Sequence, residues 1–183
     1  MVAAARPWAR EMLRVWFHDL GNGDWYGGGD SVDALLRRRF VDDLKRLGHR
    51  PAHAFLGEPQ IALAAILLFD QIPRNLFRDT AQAFAYDSLA LAISRGVIAR
   101  GWLARMDAAE RQFALMPLMH SENIASQRLS VRAFARHAPN ALSFARSHHA
   151  MIARFGRFPH RNPMLGRHST AAEKRAVEAG FSW

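Results

Sequence analysis

The chain has 183 residues and a mass of 20.6 kDa, which suits one domain able to build a core without staples. It has no cysteine, which excludes disulfides, thiolate metal sites and cysteine catalysis, and its longest apolar run, Ile61 to Phe69, is about half a membrane helix. The formal charge is +9, almost all from arginine, since only Lys45 and Lys174 are lysines; that balance favours anionic partners through the long-range field.

Helical periodicity dominates from the start. Trp8, Met12, Val15 and Trp16 recur at helical spacing behind Pro7, which fits a first-turn position. Gly21, Gly23 and the triplet Gly27-Gly28-Gly29 predict a loop, with Trp25 and Tyr26 as its core anchors or as the wall of a pocket. Ser31 is placed to cap a second helix with Val32, Leu35, Leu36, Phe40, Leu44 and Leu47 on one face and Gly48 as its stop. Arg37, Arg38 and Arg39 point in three directions around that helix and are expected to be solvated.

Pro59 opens a third helix through Ile72, the most apolar segment, which Pro73 is expected to break. Thr80 is placed to cap a fourth helix running to about Arg100. Asp107 with Glu110 has capping-box spacing and starts a fifth, within which Pro117 should kink or divide the stretch up to His137. Pro139 starts another helix ending near Gly156, and Thr170 with Glu173 starts the last. No segment alternates as a strand would. The chain therefore reads as all-α, one domain over residues 1–183, with about seven or eight helices. The amino terminus shows no export-signal pattern, so a cytoplasmic location is expected.

Three segments carry polar groups that amphipathic helices do not explain. In the first, Asp70 and Gln71 close the greasiest helix, where an unpaired carboxylate is costly. Arg74 and Arg78 follow four residues apart, so one helical turn would let both forks clamp a phosphate or carboxylate, with Asn75 beside them. The alternative is a buried Asp70–arginine ion pair. In the second, His120 and Glu122 supply an acid–base pair if the Pro117 break places them on an irregular turn, with Gln127 nearby. Ser121 cannot form a hydrolytic relay with its own neighbours. The third is the loop from Phe155 to Arg167, where Arg157, His160, Arg161 and Arg167 bring four cationic groups, and where Asn162 adds a neutral one. These arginines either bind a ligand or pair with Asp70, Asp87 and Glu122 from other helices. Between Glu122 and Glu173 there is no acid at all, so this stretch should lie beside acids from elsewhere or face an anion.

Metal binding by His120, Glu122 and His160 is disfavoured by the arginine surround, and no cofactor is implied. The glycine triplet lacks the Gly-Lys-Ser/Thr continuation of a nucleotide loop. Nucleic-acid binding is disfavoured because most aromatics sit at core-type spacing rather than along a basic stripe.

Val15-Trp16-Phe17 with Trp25-Tyr26, Val32-Asp33 through Arg39-Phe40, Leu63 to Arg78, Ala83-Phe84-Ala85-Tyr86-Asp87, Pro117 to Glu122, His148 and Phe155 to Arg167 together resemble the bacterial family called domain of unknown function 924. The resemblance spans nearly the whole chain; Phe55 departs from it, standing where the family usually has tryptophan. It implies a right-handed α-superhelix of antiparallel helix pairs similar to tetratricopeptide-repeat folds, and it implies no activity.

The expected function is a polar pocket for a small anionic, phosphate- or carboxylate-bearing ligand. Its binding residues would be Asp70, Gln71, Arg74, Asn75, Arg78, Gln127, His148, Arg157, Arg161, Asn162 and Arg167. Asp70 and Glu122 would hold the arginines, and Arg74 and Arg157 would share the pocket. Two other readings stand beside it. One is a groove for an acidic peptide with Arg128, Arg132 and Arg136 on its rim. The other is a hydrolase using His120 or His160 for proton transfer, with Glu122 orienting the imidazole.

Overall fold

A proline at the first turn of a helix lacks an N–H that would have no intrahelical partner anyway, and helix α1 (Pro7–Arg14) starts in this way. The computed structural model describes residues 6–181; the first five residues, which enter the reading of the amino terminus, lie outside that range. α1 buries Trp8, Ala9 and Met12 and continues as a wider π turn over Val15–Asp19.

The glycine-rich stretch is not all loop. It contains a short helix α2 (Asn22–Gly27), whose start is closed by Asp24 accepting the Gly21 N–H at 2.9 Å. Trp25 is half-buried against Phe17 and Phe113, while Tyr26, 62% exposed, is not a core anchor; both residues line a second cleft, the alternative expected for them. α3 (Asp30–Leu47) begins one residue before Ser31, so Gly29 takes the cap position and Ser31 cannot. Its inner face buries Val32, Leu36, Phe40, Leu44 and Leu47, while Arg37, Arg38 and Arg39 are exposed as expected. Gly48 ends α3 with an ordinary right-handed backbone (φ −63°). The position needs glycine for space: an added Cβ would collide with the Tyr86 ring.

The central rod runs from α4 (Pro59–Ile66) through a π turn (Leu67–Gln71) into α5 (Ile72–Leu76). Every residue from 61 to 73 is buried, so this helix is apolar on all sides because protein surrounds it. Pro73 does not break it. The π turn, in which the Ile72 N–H reaches the Leu67 carbonyl, absorbs the proline at the start of α5 and carries the chain on to Leu76. Phe55 is fully buried, edge-on to Phe69 (5.2 Å) and Trp8 (6.3 Å).

Thr80 does not cap a long helix: its hydroxyl bonds back to the Phe77 carbonyl at 2.9 Å. A 3₁₀ turn (Ala81–Phe84) intervenes before α6 (Asp87–Ala99). α7 (Ala108–Met119) carries the expected Asp107–Glu110 capping box, and contains Pro117 without ending there. The division falls at residues 120–123, after which Asn123 caps α8 (Ile124–His137). Pro139 leads through one 3₁₀ turn into α9 (Leu142–Phe155), which Gly156 ends in the left-handed conformation (φ 71°). α10 (Ala171–Glu178) has the expected Thr170–Glu173 capping box.

The fold is thus all-helical, with ten α-helices and no strand among the described residues. The count exceeds expectation because π and 3₁₀ turns divide what periodicity joins. α4 packs against α1, α6 and α7, and α8 lies between α7 and α9. A small second cluster (Met151, Ile152, Phe158 and Ala176) fastens the loop after α9, and α10, onto α9. The three polar segments meet at that junction. No helix among the described residues is long and apolar enough to cross a membrane.

Candidate functional site

The π turn puts a carboxylate where a regular apolar helix would put none. Asp70 is fully buried, and three side chains compensate its carboxylate. Gln71 Nε2 donates to Oδ2 at 2.6 Å, His120 Nδ1 lies 2.8 Å from Oδ1, Arg74 Nη1 is 3.5 Å from Oδ1, and the same Nη1 donates to the Asp70 carbonyl at 2.6 Å. Burial pushes the Asp70 carboxyl up, but Arg74 and His120 outweigh it and hold the group ionised far below the usual range. The expected buried Asp70–arginine pair is present, and it includes a histidine.

Arg74 is the hub of a chain of alternating charge. Its fork grips Asp87 at 2.8 and 3.0 Å, and Asp87 in turn accepts from Arg161 Nη1 at 3.2 Å. The sequence Arg161–Asp87–Arg74–Asp70–His120 is therefore continuous. Arg161 is 6% exposed, its guanidinium held between the rings of Phe84 (4.5 Å) and Phe158 (4.6 Å). Its bond to Asp87 is the one hydrogen bond found for the side chain among the described residues, and its buried Nε has no partner. Burial and the neighbouring Arg74 lower its pKa to about 10, which leaves it cationic at neutral pH.

Arg74, His120, Arg161 and Phe84 line a cleft of about 730 Å³, within the range of small-molecule sites. Of the expected residues, Arg74, Arg78, His120, His148, His160 and Arg161 line it. The lining also has an apolar part, from Phe84, Pro159, Pro163, Met164 and Val177. Burial, reinforced by His120, lowers the His148 pKa to about 3; burial and Arg161 lower that of His160 to about 4. Burial also pulls His120 below its ordinary value, although Asp70 opposes the shift. All three imidazoles are neutral at pH 7. His148 Nδ1 donates to the Phe144 carbonyl at 2.9 Å, so its proton sits on that nitrogen.

Other expected residues lie elsewhere. Asp70 and Gln71 sit beneath the cleft rather than on its surface. Arg78 lines the rim, but its fork is closed on Asp33 at 3.0 and 2.9 Å and does not join Arg74 in a clamp. Asn75 braces Arg78 (2.9 Å). Gln127 ties down the turn after α7 through the carbonyls of Met119 (2.6 Å) and Ser121 (2.7 Å). Asn162 is buried against Ser169 (3.0 Å). Arg157 does not share the pocket with Arg74: it is paired with Glu173 at 2.7 and 3.0 Å, within the capping box of α10. Glu122 does not orient His120. It grips Arg167 at 2.9 and 2.8 Å and accepts the Phe158 N–H at 2.8 Å. Burial would raise its pKa, but those donors lower it below the ordinary value. The expected surplus of unmatched arginine is accordingly smaller than the acid-free interval implied.

Arg128, Arg132 and Arg136 are exposed along α8 and line neither this cleft nor the second one, around Tyr26 and Phe144. Among the described residues, no group of three or more His, Asp or Glu is placed to hold a metal ion. The sequence reading did not assign Phe84 to the site, nor Lys174, Val177 and Glu178, which α10 brings to the cleft. Phe84 stands within the quoted Ala83–Asp87 motif, whereas the α10 residues look like any exposed helix face.

What fold and site define is an all-helical protein with an arginine- and histidine-lined cleft at the end of a buried helix. Residues 12–180 match the family described as bacterial protein of unknown function (DUF924), and the chain belongs to that family. It is similar to a solved structure described as a protein of unknown function from Agrobacterium tumefaciens, with 32% identity and a TM-score of 0.88 over 94% of this chain and 97% of that one. No curated protein matches the chain.

Proposed function

We propose that the cleft binds a small molecule carrying a carboxylate or phosphate, with Arg161 as the group that receives the anion. The observation carrying this reading is the state of that side chain: a buried, ring-stacked guanidinium with one 3.2 Å bond and a partnerless Nε. A guanidinium has five donors in a fixed fork, and leaving them unsatisfied in a buried setting is costly. Arg74, Arg78, Arg157 and Arg167 each have a carboxylate at 3.0 Å or closer, so none is as open to a guest. Neutral imidazoles at His120, His148 and His160 add hydrogen-bonding groups without further charge.

Calorimetric titration of benzoate and of inorganic phosphate tests the reading. Arg161→Gln should weaken binding about 10- to 100-fold, the range of one charge-assisted bond, while Arg157→Gln, outside the cleft, should not. Equal affinities in wild type and Arg161→Gln would overturn it.

A further inference from the structure

One arrangement at the floor of the cleft has the parts of a base. The geometry points to Asp70 and His120 as a general-base pair that activates water against an acyl ester whose anionic group is held by Arg161. This inference rests on the anion-binding reading above and adds a reaction to it.

His120 closes α7, just beyond the helix that contains Pro117, and its ring lines the cleft. Its Nδ1 lies 2.8 Å from Asp70 Oδ1, and Asp70 is ionised, so the hydrogen bond assigns the proton to Nδ1. Nε2 is then the lone-pair nitrogen, on a ring whose tautomer and direction are fixed by a wholly buried carboxylate. This is the division of labour between orienter and base in hydrolytic sites, here with water in place of a side-chain nucleophile. The charged and titratable groups around His120 are Asp70, Arg74, Asp87, His148 and His160. Burial, helped by Arg74, disfavours a proton on His120 and outweighs Asp70, which favours one, so the ring is neutral at rest and can accept a proton transiently.

The step balances without a metal or a redox partner. A water oxygen adds to the ester carbonyl carbon while His120 Nε2 takes one water proton, and the carbonyl π pair moves onto oxygen. The tetrahedral adduct collapses, the bond to the alcohol oxygen breaks, and that oxygen takes the proton back from Nε2. The products are a carboxylic acid and an alcohol, and Asp70 stays ionised throughout. Acyl transfer fits this donor set better than phosphoryl transfer, since carboxylates already hold Arg74 and Arg78, which leaves Arg161 for the ligand's fixed anion and Lys174 as the one other lining cation for a trigonal phosphoryl group. The apolar wall of Phe84, Met164 and Val177 suits the uncharged part of such an ester.

The test uses 4-acetoxybenzoate, whose carboxylate is too remote to assist its own hydrolysis, and phenyl acetate, which lacks the anion. Wild type should release 4-hydroxybenzoate with saturation and should favour 4-acetoxybenzoate over phenyl acetate in kcat/KM. His120→Gln should lower kcat about 10²- to 10⁴-fold, a far larger loss than its effect on benzoate affinity. Asp70→Asn should lower kcat and shift the ionisation in the pH–rate profile, and Arg161→Gln should act mainly on KM. If wild type binds benzoate but does not exceed buffer hydrolysis, or if His120→Gln is fully active, the base is refuted and the binding reading stands. If wild type binds neither benzoate nor phosphate, both fall. Should His120→Gln fail to fold, the wild-type profile decides: a kcat/KM that rises with one ionisation and slows in deuterium oxide supports the base, and a flat profile overturns it.

Discussion

His148 offers a quantitative test of how the cleft is held together. The imidazole is 5% exposed, and its folded-state pKa of about 3 lies well below the ordinary unfolded value near 6.5. Below pH 6.5 the unfolded chain takes up a proton that the native state refuses, so stability falls as pH drops and is fully present above pH 6.5. At pH 4.5 the penalty from this one residue is on the order of 2–3 kcal/mol. His148→Leu keeps the volume near that of the imidazole and removes the titration. It also removes the bond to the Phe144 carbonyl, so its melting temperature at pH 7 need not match wild type. The quantity to compare is the fall between pH 7 and pH 4.5. At about 2–4 °C per kcal/mol for a chain of this size, the variant should lose roughly 5–10 °C less than wild type. Carboxylates such as Glu122 and Glu173, also lowered in the native state, titrate in both proteins and cancel in the difference. Parallel melting curves across that range would refute the assignment of a buried neutral imidazole.

Other consequences follow from the same packing. Phe69→Ala, at a fully buried ring touching Phe55 and Tyr86, should cost about 3–5 kcal/mol in urea unfolding. Gly48→Ala should cost about 1–3 kcal/mol in the same assay, since its Cβ would meet the Tyr86 ring; the double variant with Tyr86→Leu should recover part of the loss. Asp107→Ala removes the N-cap of α7 and should cost about 1 kcal/mol, measured by chemical denaturation.

Much of the helical frame was legible because its signals are local. The Asp107–Glu110 and Thr170–Glu173 boxes, Pro7, Pro59 and Gly156 act within one turn of where they stand, and each marks a boundary found in the fold. Ser31 and Thr80 misled because cap-forming residues compete with alternatives only the structure decides, a cap by Gly29 and a bond back to Phe77. The π turn at Leu67–Gln71 leaves no trace in composition, yet it carries the chain past Pro73 and places Asp70 under the cleft.

The convergence of the three polar segments followed from chemistry: ionisable groups in apolar runs must find one another. Which partner each would take did not. Glu122 was open either to His120, given an irregular turn, or to an arginine of the loop after α9, and the turn after α7 turns it to Arg167. Arg157 and Arg161 stand one helical turn apart in sequence, but the 3₁₀ turn over Pro159–Arg161 sends the first to Glu173 and the second into the cleft.

Everything functional here depends on Arg161 holding donors open to a guest. Its Nε–Hε resonance can be followed by NMR while benzoate is titrated into protein labelled with ¹⁵N-arginine. Saturable movement of that signal, lost in Arg161→Gln, is the predicted outcome. An unmoved Arg161 signal at concentrations where other resonances respond would contradict it.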